Sequence, residues 1–134
     1  MRKFTQDFKV LQIVIHRTHE ITKIIEPEKC DLIITMNITN SLLHQIATKD
    51  TEIYFISAYK DPRKRYKAYS IGMNHAKVYR TPTRVIFSSS NLSLSSWVET
   101  SIVFQRDENI DKVVETLKAE LKPMIKTNYL INAW

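Results

Sequence analysis

Apolar residues fall in short blocks separated by polar punctuation, and the block lengths predict a chain of mixed strands and helices. Lys9–His16 (KVLQIVIH) is rich in β-branched residues and predicts a strand. Thr18–Ile25 predicts a short helix, closed by Glu26-Pro27. Asp31–Asn37 (DLIITMN) is a near-continuous apolar run, the pattern of a strand covered on both faces. Asn40–Ala47 predicts a helix with Asn40 as its N-cap, and Thr51–Ser57 a further strand. This strand–helix–strand succession implies a right-handed crossover and a parallel pair.

A loop is expected over Ala58–Lys67, then short strands at Tyr69–Met73, His75–Thr81 and Arg84–Ser89. Thr81-Pro82-Thr83 is a tight connection that makes the last two a hairpin. Leu92–Val98 predicts a loop or helical turn, and Glu99–Gln105 another strand. Ile110, Val113, Val114, Leu117 and Leu121 mark one face of an amphipathic helix, capped by Asp107 or Asn109 and ended by Pro123. The apolar tail from Met124 to Trp134 suits either the core or a dimer interface. The expectation is one α/β domain over residues 1–134, with a mixed sheet flanked by helices.

Composition narrows the chemistry. A chain of 134 residues buries roughly two thirds of its unfolded surface and needs no disulfide or metal staple. Its single cysteine, Cys30, sits in apolar surroundings that favour a buried, reduced thiol. No apolar stretch approaches membrane-spanning length, and Met1–Asp7 lacks the apolar core of a signal peptide, so a cytoplasmic location is expected. Gly72 is the only glycine, which excludes Gly-rich phosphate loops and dinucleotide fingerprints. The net charge of +6 favours a polyanionic partner. Lys60, Arg63, Lys64, Arg65 and Lys67 cluster, interleaved with Tyr59, Tyr66 and Tyr69, a combination suited to phosphate contact and base stacking. A solvated basic loop explains the same run without any partner.

The most informative feature is His75-Ala76-Lys77, followed by Ser88-Ser89-Ser90-Asn91 and then Glu99. On an extended strand, residues two apart share a face, and a Ser/Asn cluster ending the next strand returns to it. Together they offer a nucleophile or acid, a fixed cation, neutral donors and a carboxylate, the parts needed to cleave a phosphodiester without a metal. Attack and departure at phosphorus are in line on opposite sides, so one imidazole cannot serve both ends in the same step. With one such motif in the chain, the second histidine must come from another copy, most simply across a two-fold axis.

The arrangement resembles the signature of the phospholipase D superfamily: His-x-Lys, a Gly/Ser-Ser-x-Asn stretch and a downstream Glu. The resemblance spans about residues 74–104 and implies a phospholipase D-like fold. It also implies His75 as nucleophile or general acid, Lys77, Ser89 and Asn91 on the phosphoryl oxygens, and Glu99 orienting the imidazole. The long form of the signature has an aspartate five residues after the lysine, where this chain has Pro82. Tyrosyl-DNA phosphodiesterases lack it too, and their Ser-x-Asn-Leu stretch looks like Ser89-Ser90-Asn91-Leu92. The departure weakens the match to lipid-cleaving members.

The function expected from these residues is cleavage of nucleic acid, DNA ahead of RNA, through a phosphohistidine at a site shared by two subunits. No cofactor, metal or membrane partner is called for. The alternatives are a nucleic-acid-binding module with an inactive site, and a phospholipid or small-molecule phosphodiesterase. His16-Arg17-Thr18-His19-Glu20 has the wrong spacing for a helical zinc-peptidase motif and reads as strand-end or surface histidines. Asp31, Glu52 and Asp61 lack the pattern of a two-metal site.

Overall fold

The computed structural model describes residues 1–126; the apolar tail beyond Lys126 lies outside the described residues. The elements run β1 (Val10–Arg17), α1 (Ile21–Ile25), β2 (Cys30–Ile34), β3 (Asn37–Ile38), α2 (Asn40–Ile46), β4 (Ala47–Phe55), β5 (Ser57–Ala58), β6 (Lys67–Ser70), β7 (Lys77–Arg80), β8 (Arg84–Ser88), β9 (Val98–Gln105) and α3 (Glu108–Leu121). Seven strands form one mixed sheet in the order β1-β9-β8-β7-β2-β4-β6. β2, β4 and β6 are parallel, and the remaining neighbours antiparallel.

The sheet is covered on both faces, which is why β2 is apolar at successive positions. Ile33 joins Ile53, Tyr79, Ile86 and Val103 under α1 and α2, which contribute Ile21, Ile25, Leu42, Leu43 and Ile46. Leu32 and Ile34 join Tyr54, Val78 and Val85 under α3, through Ile110, Val114 and Leu121. The Asp107 carboxylate caps α3 by accepting from Ile110 N at 2.9 Å. Cys30 is buried and unpaired, and burial pushes its thiol pKa up. Among the described residues, no helix is long and apolar enough to cross a membrane.

Several boundaries differ from expectation for local reasons. α2 is capped at Thr39, not Asn40. Asn40 instead clasps the backbone of Lys60, accepting from its N–H at 2.9 Å and donating to its carbonyl at 3.0 Å. β4 begins at Ala47 because Cys30 pairs with Ala47 while Leu32 pairs with Glu52, so Thr48–Asp50 bulge outward. The strand expected at Tyr69–Met73 lies earlier, over Lys67–Ser70, where pairing with Glu52–Phe55 recruits the end of the basic run. Asn37 leaves the main sheet for β3, which pairs with β5. β1 forms an edge, and Leu11, Ile13 and Ile15 on one of its faces are more than half exposed.

Candidate functional site

The parallel strands β2 and β4 end on one edge of the sheet, where crevices form in open α/β sheets. At that edge β7 begins, β8 ends and β9 begins, because Lys77 pairs with Ser88 and Ser88 with Ser101. The hairpin expected from Thr81-Pro82-Thr83 is what brings the two halves of the motif together.

His75 precedes β7 and is solvent-exposed, whereas Lys77, its first residue, is 7% exposed. The two meet all the same, with Lys77 Nζ 3.3 Å from His75 Nδ1. An ammonium only donates, so a charged Lys77 places the imidazole hydrogen on Nε2. Burial lowers the pKa of Lys77, and the charge of Glu99 opposes that shift. Two residues before His75, Met73 takes φ 43°, a left-handed conformation uncommon for a residue with a side chain. Asn74 fixes the approach to β7: its Oδ1 accepts from Ala76 N and its Nδ2 donates to Ala76 O, both at 3.0 Å.

Ser89 and Glu99 are joined. Ser89 Oγ donates to Glu99 Oε1 at 2.8 Å, and Thr18 Oγ1 donates to Oε2 at 2.8 Å. No hydrogen bond joins Glu99 to His75 of the same chain: Nδ1 faces Lys77, and the carboxylate is anchored by two hydroxyls. Asn91 serves the fold as well as the site. Its Oδ1 accepts from Thr35 Oγ1 and Met36 N at 3.1 Å and from Asn37 N at 3.3 Å, which leaves its amide hydrogens for an incoming oxygen. Beneath this turn Tyr79 Oη donates to Ser90 O at 2.7 Å.

The basic run divides. Lys60, Lys64, Arg65 and Lys67 are exposed. Arg63 is drawn into a two-pronged pair with Asp61, and Lys67 belongs to edge strand β6 rather than to the loop. Arg65 lies over the Tyr66 ring, 5.8 Å from its centroid, and Tyr66 Oη is 2.6 Å from His44 Nδ1. The start of the loop is tied to the motif: β5 pairs with β3, and Ile38 of β3 bridges Leu92, next to Asn91. Two strand spacings, about 10 Å, separate them.

Thr18, Thr35, Tyr79 and His16 are site residues that sequence reasoning missed. His16, read as a strand-end or surface residue, is buried at 8% exposure on the face shared with Ser101 and Glu99. Its one sequence signal is its parity with Val14, whose side faces inward. Among the described residues, no group of three or more His, Cys, Asp or Glu side chains is placed to hold a metal ion. No protein-family model, curated protein or solved structure matches this chain.

Proposed function

We propose that the chain is a metal-independent phosphodiesterase acting on nucleic acid, a small member of the phospholipase D superfamily working as a homodimer. The observation that carries the reading is the convergence of His75, Lys77, Ser89, Asn91 and Glu99 on one edge of the sheet. Lys77 and the Asn91 amide supply cation and donor for the equatorial oxygens. A neutral imidazole attacks phosphorus to form a phosphohistidine, and the opposed imidazolium protonates the leaving oxygen. Water then attacks the phosphohistidine, the second imidazole takes its proton, and the first is released.

The acid must be an imidazolium, with hydrogens on both ring nitrogens, and the nucleophile a neutral ring with its hydrogen on Nδ1, so in either role Lys77 Nζ turns from Nδ1 to the phosphate. Two copies of one residue in two protonation states meet both needs. Exposed Met73, Leu94, Trp97 and Val98 surround the site with apolar surface that a second copy would cover. Exposed Lys60, Lys64 and Arg65 would hold the polyanion's backbone.

The test is hydrolysis of a chromogenic phosphodiester, plasmid DNA, RNA and phospholipid in EDTA. Cleavage of nucleic acid, abolished by His75→Ala, is expected. Mixing wild-type and His75→Ala chains should give heterodimers without the opposed pair, and full activity in those heterodimers would sink the shared site. A second reading, binding without turnover, is favoured by one observation: Glu99 is hydrogen-bonded to Ser89 and Thr18 and not to His75 of the same chain. It predicts salt-dependent binding that His75→Ala leaves intact.

A further inference from the structure

His16 is the one buried histidine, and the phosphodiester chemistry above does not use it. Its ring is fully bonded: Nδ1 meets Arg17 O at 2.7 Å, and Nε2 meets Ser101 Oγ at 2.7 Å. Ser101 Oγ in turn donates to Ser88 Oγ at 2.7 Å, and Ser90 N donates to the same Ser88 oxygen at 2.9 Å. Ser88 is the register partner of both Ser101 and Lys77, so all three side chains stand on one face of the sheet.

Counting hydrogens decides what this chain of groups does. A carbonyl only accepts, so Nδ1 carries a hydrogen. Ser101 has one hydroxyl hydrogen. When it goes to Ser88, Nε2 must donate to Ser101, and His16 is an imidazolium. Ser88 then accepts twice, from Ser101 and Ser90, and its own hydrogen is free to point towards Lys77. When His16 is neutral the direction reverses: Ser101 donates to Nε2, Ser88 donates to Ser101, and Ser88 offers only a lone pair on the Lys77 side. One proton on His16 thus exchanges a donor for an acceptor where a phosphate oxygen would sit.

We infer that His16, acting through Ser101, sets whether Ser88 donates or accepts beside Lys77, and so couples phosphate binding to the protonation of a histidine outside the reacting groups. His16 is a positioning residue here, and the inference rests on the phosphate-binding reading of the His75 site. The other charges facing His16 are Glu99 on β9, Glu20 of the short 3-10 turn Thr18–Glu20, Lys23 of α1, Glu26, and Arg84 on β8. The flanking Arg17 side chain is exposed. Protonation of His16 does not place hydrogens on any of these groups, whereas it reorients Ser88 directly.

The test is 15N NMR of the histidine rings in the full chain across pH, with and without diethyl phosphate, a monoanion throughout that range. Binding should move the His16 titration to higher pH by about threefold in proton affinity, as reciprocal linkage requires. Ser88→Ala, or Ser101→Ala should that variant fold better, should abolish the shift. A wild-type titration indifferent to diethyl phosphate overturns the inference. So does a shift that persists in both serine variants, since that is a through-space charge effect. Failure of the enzymatic reading would appear separately, as diester hydrolysis in EDTA that survives His75→Ala.

Discussion

The exposed imidazole of His75 rests on a buried ammonium, with Lys77 Nζ 3.3 Å from Nδ1. The pair gives the site an imidazole on the surface and a cation held beside it. His75→Ala should therefore separate chemistry from stability. Diester hydrolysis should fall on the order of 10³-fold or more, while the unfolding free energy stays within about 0.5 kcal/mol, as for other exposed positions. Initial rates in EDTA and a thermal melt check both.

Lys77 is held at a cost. Burial lowers its pKa in the folded chain, so between that value and the ordinary lysine value the unfolded chain binds a proton that the folded chain lacks. Stability of the wild type therefore rises with pH through that window. Lys77→Met should be more stable than wild type at neutral pH by roughly 1 kcal/mol, lose that advantage as pH climbs through the window, and bind no phosphodiester. Denaturant titrations at neutral and alkaline pH give the sign.

Asn91 has a structural role, and a proposed one at the phosphate that is separable from it. Its Oδ1 satisfies two backbone N–H groups and a threonine hydroxyl. Asn91→Ala should cost about 2–3 kcal/mol by leaving those donors unpaired. Asn91→Asp keeps the acceptor and should retain most of that stability, yet weaken phosphate binding by replacing a donor with an anion. Equal losses of stability in both variants would contradict the division.

The basic loop should act through charge alone. Replacing Lys60, Lys64 and Arg65 with Gln removes exposed cations. Nucleic-acid affinity should drop uniformly across sequences, and the slope of log affinity against log salt should shrink by about 1 for each cation that had neutralised a phosphate. Hydrolysis of a small diester should be unaffected. Binding measured at three salt concentrations suffices.

Much of the core was legible beforehand because it obeys local rules. The periodic face of α3 and its Asp107 cap are set within one stretch of chain, and the doubly apolar β2 announces burial on both sides. The motif halves were legible because a hairpin joins them with few intervening residues. Thr18, Thr35 and His16 were not, since they reach the site only through a strand order that places β1 beside β9 and β2 beside β7. Asn40 was misjudged because its side chain finds Lys60 across space, a partner that capping preferences do not contain. β6 was displaced because pairing with β4 outweighs the turn character of the basic run.

The placement of β1 has a consequence for how the protein is made. Among the described residues, β1, the first strand of the sheet in chain order, has β9, the last, as its only hydrogen-bonded neighbour. Until β9 has been made, Leu11, Ile13 and Ile15 have no ladder to join, and Thr18 has no Glu99 to hold. The motif-bearing edge is thus closed by the final stitch of the sheet, and a chain released before β9 lacks Glu99 and leaves β1 open, ready to pair with a stranger.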